Sequence, residues 1–129
     1  MKKIGFIGLG NMGSKMVVHL LKGGYEVQGF DLNISLVEKL LDFGIIEAKS
    51  LINFANDKDI IITMLPNGEI VENVITQILT DLKPNCIILD TSTIDVNTAV
   101  KLNSILHKKG IHFLDAPVSG GTLGAENGT

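Results

Sequence analysis

The residues whose types and spacing could do chemistry begin with Gly8-Leu9-Gly10-Asn11-Met12-Gly13, a G-x-G-x-x-G motif. In such a motif the first glycine permits a tight turn, the second lets the backbone approach a phosphate, and the third lets a helix pack closely on a strand. The N–H groups of Asn11, Met12 and Gly13 would then face an anion, with the positive end of a helix dipole behind them. A plain glycine-rich turn between strand and helix is the alternative. Asp31, about 20 residues further on, favours the first reading, because a carboxylate there can accept hydrogen bonds from the hydroxyls of an adenosine ribose. Together they point to NAD. The same carboxylate would repel a 2′-phosphate, and no arginine is present to receive one, all 11 basic residues being lysine. Lys39 is the cation placed to substitute in part.

Further loops carry polar or rigid residues. Met64-Leu65-Pro66 closes an apolar run, and Pro66, with its fixed backbone and no N–H, can shape an apolar wall beside a bound nicotinamide or ribose. Thr93 offers a hydroxyl to the same ligand, or else belongs to the cap region of a helix led by Asp95. Ser119-Gly120-Gly121 offers a hydroxyl and unhindered N–H groups suited to a carboxylate, or else is a flexible turn.

Such residues need a scaffold that carries distant loops to one edge. Short β-branched runs predict strands over residues 4–8, 26–30, 44–47, 59–64, 86–90 and 111–115. Segments of helical period predict helices over 12–22, 34–43, 69–82 and 96–109, with a short one over 50–55. Met16, Val17, Leu20 and Leu21 give the first helix its apolar face, and Gly23-Gly24 ends it. Strands alternating with helices predict an α/β fold, a doubly wound six-stranded parallel sheet of Rossmann type in the order 3-2-1-4-5-6. One domain is expected over residues 1–117, and the glycine-rich 118–129 reads as a segment leaving the sheet.

Composition narrows the class. Apolar residues make up 45% of the 129 and charged residues 19%, with a net charge of -3, which favours neither a nucleic-acid partner nor a membrane. Apolar runs are strand-sized, and Met1-Lys2-Lys3 leads directly into the glycine motif rather than into a signal core, so a cytoplasmic location is expected. Cys86, the lone cysteine, heads an apolar run and reads as buried packing. The three histidines and the cysteine are scattered without metal-ligand spacing, so no metal is expected.

The ordered set of the glycine motif, Met64-Leu65-Pro66, Asp90-Thr91-Ser92-Thr93-Ile94-Asp95, Asp115-Ala116-Pro117-Val118-Ser119-Gly120-Gly121 and Gly124-Ala125-Glu126-Asn127-Gly128-Thr129 resembles the β-hydroxyacid dehydrogenases. The 3-hydroxyisobutyrate dehydrogenase branch is most similar, and 6-phosphogluconate dehydrogenases share the pattern of the first domain. Val96 departs from the proline often found after the Ser-Thr-Ile-Asp run. The resemblance implies that Gly8, Leu9, Gly10, Asn11, Met12, Gly13, Asp31, Met64, Leu65, Pro66 and Thr93 hold NAD, and that Ser119, Gly120 and Gly121 hold a substrate carboxylate. It also implies an all-helical second domain that carries a catalytic lysine and helps build a dimer.

Oxidising a hydroxyl needs a base positioned to take its proton. Lys22, Lys58, Lys83, His107, Lys108, Lys109 and His112 precede or begin predicted strands, so they should lie at the edge away from the cofactor. Lys15 and His19 belong to the first helix, Lys101 lies well along its helix, and Lys49 follows the outermost strand. Asp90 and Asp115 could pair as acid and base, but strand-closing aspartates more simply cap loops. No catalytic residue is therefore expected in this chain. The parent would be an NAD-dependent dehydrogenase of small 3-hydroxy acids. An NADPH-dependent semialdehyde or glyoxylate reductase of the same family, or a stand-alone NAD(H)-binding module without catalysis, are the rival readings.

Overall fold

Runs of isoleucine and valine, buried on both faces, build the centre of the sheet, the pattern expected of parallel strands covered by helices on each side. The computed structural model describes residues 2–118. Its strands are β1 (Lys3–Ile7), β2 (Glu26–Phe30), β3 (Ile46–Glu47), β4 (Ile60–Thr63), β5 (Ile87–Asp90) and β6 (His112–Asp115). They form one parallel sheet in the order β3-β2-β1-β4-β5-β6, the order expected of a six-stranded dinucleotide-binding sheet. The helices are α1 (Asn11–Lys22), α2 (Ile34–Glu38), α3 (Gly68–Ile78) and α4 (Val96–His107).

The helices cover the two faces. Val17 of α1 and Val37 of α2 pack with Ile4, Phe6, Val27 and Ile62 in one buried cluster. Val71, Ile75 and Ile78 of α3 and Leu102 and Leu106 of α4 pack with Ile7, Ile61 and Ile88 in the other. Among the described residues no helix is long and apolar enough to cross a membrane.

Several expected elements are shorter. The expected helix over 34–43 stops at Glu38 and resumes as a 3-10 turn over Leu41–Phe43, which Gly44 ends in a left-handed conformation (φ 102°). That turn delays β3, so the expected strand over 44–47 shrinks to Ile46–Glu47. The expected helix over 69–82 gives way at Ile78 to a 3-10 turn over Leu79–Asp81, and Leu82 is already extended two residues ahead of Pro84. The expected helix over 50–55 is absent. Asn53 takes a left-handed φ of 60°, and the Phe54, Asn56 and Lys58 amides bond three residues back, so the stretch is a chain of turns. Its apolar spacing is nevertheless used, because Leu51, Phe54 and Ala55 are buried in the core.

Candidate functional site

Parallel pairing sets the level at which each loop leaves the sheet. Ile7 stands in register with Phe30 and Thr63, Thr63 with Asp90, and Asp90 with Asp115. One residue later, the amides of Gly8, Met64, Thr91 and Ala116 still bond to carbonyls of the neighbouring strand, at 2.8–3.1 Å. The loops after β1, β4, β5 and β6 thus start from a common carboxyl edge, where open α/β sheets bind ligands.

The glycine loop fits that edge closely. Gly8 has a φ of 103°, and a Cβ on it would lie 2.1 Å from the Met64 carbonyl oxygen. A Cβ on Gly13 would lie 2.0 Å from the Gly8 carbonyl oxygen. Only hydrogen fits at either point. A Cβ on Gly10 would meet nothing within 4 Å, so the middle of the loop faces open space. The Ser14 amide makes the first intrahelical bond, to the Gly10 carbonyl at 2.8 Å. The amides of Asn11, Met12 and Gly13 therefore precede any helical acceptor and are available to an anion, with the helix dipole behind them.

Asp31 is bound to this loop. Its Oδ2 accepts the Leu9 amide at 2.8 Å and its Oδ1 accepts the Asn33 amide at 2.9 Å. Each carboxylate oxygen can take more than one donor, so both retain capacity for ligand hydroxyls. Gly8, Gly10, Asn11, Met12, Gly13, Asp31, Met64, Leu65 and Pro66 line one cleft of about 320 Å³. Those nine of the expected cofactor residues are thereby brought together. Leu9 is fully buried and faces this region through its amide alone. Thr93 is exposed and does not line the cleft, and the Asp95 side chain makes no cap bond to α4 although Asp95 is the N-cap residue. Ser119, Gly120 and Gly121 lie outside the described residues.

Adjacent spaces extend the cleft on either side of Asp31. Phe30 and Leu32 flank it and line a second hollow of about 680 Å³ with Leu51, Ile52, Asn53 and Val74. Leu32 and Ile52 are 90% and 79% exposed, apolar surface with no protein cover. Sequence reasoning passed over this hollow, since Ile52 reaches it from the stretch read as a helix. On the other side of the glycine loop, Lys15 and Lys39 line a groove of about 230 Å³ with Leu36 and Phe43, which places Lys39 near the loop as expected.

Polar side chains are also buried at this edge. Thr63, Asp90, Thr91 and Ser92 are each at most 4% exposed. The Thr63 hydroxyl donates to Asp90 Oδ1 at 2.8 Å, and the Ser92 amide donates to the same oxygen at 3.1 Å. The Leu65 amide donates to Ser92 Oγ at 2.8 Å, and the Thr91 hydroxyl reaches the Thr63 carbonyl at 2.8 Å. Burial pushes the Asp90 carboxyl above the usual carboxylate range, against the pull of its Ser92 and Thr63 hydrogen bonds. Asp90 thus caps its own loop as expected, whereas Asp115, its register partner, is exposed.

The cations near the strand starts form a separate network at the opposite edge. Lys83 donates to Asp59 Oδ1 at 2.7 Å, the Lys3 amide donates to Asp59 Oδ2 at 2.8 Å, and Lys3 and Lys58 both pair with Asp57. The Lys83 hydrogen bond, helped by the Lys3 amide, holds the Asp59 carboxyl down at about 2. Lys101 pairs with Glu72 across α4 and α3 at 3.1 Å. Cys86 is buried, and burial pushes its thiol up to about 11. Among the described residues no cluster of three His, Cys, Asp or Glu side chains could hold a metal ion.

This geometry coincides with that of known proteins. The chain is 41% identical over 132 residues to the NAD-dependent L-serine dehydrogenase of Pseudomonas aeruginosa, matching all of this chain and 44% of that protein. It is 42% identical over 130 residues to the 2-(hydroxymethyl)glutarate dehydrogenase of Eubacterium barkeri, covering 98% of this chain and 43% of that protein. The structure of Mycobacterium tuberculosis 3-hydroxyisobutyrate dehydrogenase with L-serine superposes with a TM-score of 0.96 at 37% identity, over 100% of this chain and 44% of that one. The chain spans less than half the length of each. The family model described as the NAD binding domain of 6-phosphogluconate dehydrogenase matches residues 3–129, and with a glycine turn hydrogen-bonded to Asp31 at the carboxyl edge of the expected sheet, the chain belongs to that family.

Proposed function

We propose that this chain is the cofactor-holding half of an oxidoreductase that moves a hydride between NAD and a small 3-hydroxy acid such as 3-hydroxyisobutyrate. The observation that carries the reading is the hydrogen bond from the Leu9 amide to Asp31, which joins the phosphate turn to the carboxylate expected at the ribose. In this arrangement the Asn11, Met12 and Gly13 amides hold the pyrophosphate, and Asp31 takes the adenosine ribose hydroxyls. Leu32, Ile52 and Val74 offer apolar surface for the adenine. Met64, Leu65 and Pro66 wall the far side, with Thr93 beyond them. NAD supplies a hydride acceptor there. Residues 1–117 would form this domain, and 118–129, with Ser119, Gly120 and Gly121 at the substrate carboxylate, would lead towards a further domain.

The matched relatives suggest the substrate class. L-serine, 2-(hydroxymethyl)glutarate and 3-hydroxyisobutyrate each carry a hydroxyl on the carbon β to a carboxylate. Oxidation of such a group sends a hydride from the carbinol carbon to the nicotinamide and the hydroxyl proton to a base, leaving a carbonyl. Lys3, Lys58 and Lys83 are paired with carboxylates at the opposite edge of the sheet. We therefore assign the base to a part of the protein beyond these residues. A homo-oligomer, which the family resemblance implies, and a cytoplasmic setting belong to the same reading. Titration of the purified chain with NADH and NADPH, followed by an assay with the three hydroxy acids, tests it. Tighter binding of NADH without turnover is expected; preference for NADPH would overturn the assignment of Asp31, and turnover would overturn that of the base.

A further inference from the structure

A buried polar cluster needs a reason in a core otherwise apolar, because each such group must be fully hydrogen-bonded to avoid a desolvation penalty. Of the five buried polar or charged residues among those described, Thr63, Asp90, Thr91 and Ser92 sit together at the carboxyl ends of β4 and β5. Asp90 is their hub. Its Oδ1 accepts from Thr63 on β4 and from the Ser92 amide, and Ser92 Oγ in turn accepts the Leu65 amide of the β4 loop. Among the described residues Asp90 Oδ2 has no hydrogen-bond partner, so the cluster holds a buried carboxylate oxygen that the protein around it does not satisfy. Packing alone does not call for that arrangement, since an apolar pair of similar shape would avoid the penalty.

The position of the cluster indicates what it serves. A dinucleotide is linear: with its adenosine ribose at Asp31 beside β2 and its pyrophosphate at the start of α1, the nicotinamide riboside must extend over β4 and β5. Met64, Leu65 and Pro66 line the cleft on that side. We propose that Asp90 is a positioning residue that fixes the β4 loop against the β5 loop through Thr63 and Ser92, and so sets the wall of the nicotinamide half of the site. Asp90 acts through Leu65 and does not itself touch the ligand, being fully buried. This assignment rests on the proposed placement of NAD.

The test compares two probes that differ only by the nicotinamide end, NADH and ADP-ribose, titrated against the purified chain and its variants. Asp90→Ala is expected to weaken NADH by about tenfold, the scale of losing one or two hydrogen bonds, while ADP-ribose changes by less than about twofold. Asp90→Asn keeps an oxygen able to accept from Thr63 and the Ser92 amide, so it is expected to restore NADH binding. Thr63→Val removes one donor while keeping the branched shape, and is expected to show the same selective loss as Asp90→Ala, so it carries the test should the latter fail to fold. Equal weakening of both probes, or no weakening of either, would overturn the positioning role. So would a wild-type chain that binds ADP-ribose as tightly as NADH. A wild-type chain that binds neither probe would instead overturn the NAD placement itself.

Discussion

The carboxylate of Asp31 and the amide of Leu9 are 2.8 Å apart, a bond between the end of β2 and the turn that follows β1, across 22 residues of sequence. The carboxylate proposed to take the ribose and the turn proposed to take the phosphates are therefore one mechanical unit. Asp31→Ala should weaken NADH binding by roughly 1.5–3 kcal/mol, the range for hydrogen bonds to a charged group, and should also loosen the glycine loop. Fluorescence titration measures the first effect. Hydrogen exchange at Leu9 and Gly10 measures the second, and unchanged protection there would show that the bond does not order the turn.

Gly13 and Gly10 should separate folding from binding. Gly13→Ala forces a methyl to within 2.0 Å of the Gly8 carbonyl oxygen, so α1 must shift, and overpacking of this kind costs about 1–3 kcal/mol. Gly10→Ala meets nothing in the protein and should melt within about 0.5 kcal/mol of the wild type, yet NADH affinity should fall because the methyl enters the space facing the phosphates. A chemical-denaturation series with parallel NADH titrations checks both, and equal destabilisation by the two variants would contradict the difference in space.

These residues also show what was legible in the sequence. The glycine spacing and Asp31 sufficed to place the turn and its acid, because the left-handed backbone at Gly8 and the approach distances at Gly8 and Gly13 leave room for no other residue type. The parallel sheet followed from alternation of short β-branched runs with helical periods, and its strand order from the usual arrangement of a six-stranded dinucleotide-binding sheet. The 50–55 stretch misled because buried Leu51, Phe54 and Ala55 have helix-like spacing, whereas Asn53 in a left-handed conformation breaks the helix, and a single asparagine does not announce that choice. The cluster around Asp90 was hidden for a different reason. Thr63 and Ser92 are unremarkable strand and loop residues until β4 and β5 are paired in register.

Acid stability should depend on Asp59. Its folded carboxyl is held at about 2 against an ordinary value of 3.8, so ionised Asp59 favours the folded state above the ordinary value, and that contribution is lost as the pH falls from about 4 towards 2. Asp59→Asn should lower stability at neutral pH and flatten the decline over that acid window. Melting temperatures measured from pH 6 to pH 2 provide the check, and a parallel decline in both proteins would assign acid sensitivity elsewhere.

The Cys86 thiol should be inert in the native protein. It is buried, and with its pKa raised to about 11 the reactive thiolate is scarce at pH 8. A thiol reagent added at pH 8 should label the chain only as it unfolds, at a rate that rises with denaturant. Fast stoichiometric labelling without denaturant would show that the head of β5 opens readily.

The strands that separate the Lys83–Asp59 network from the glycine turn are only four or five residues long, yet at about 3.3 Å per residue they hold the two polar ends roughly 13–17 Å apart across a dry, isoleucine-rich slab. That distance exceeds the ~10 Å over which exposed charges influence one another at ordinary salt. Exposed charge changes at one rim should thus couple only weakly to the proposed coenzyme site at the other, leaving tolerance to acidity free to be tuned, by selection or by design, with little effect on ligand preference.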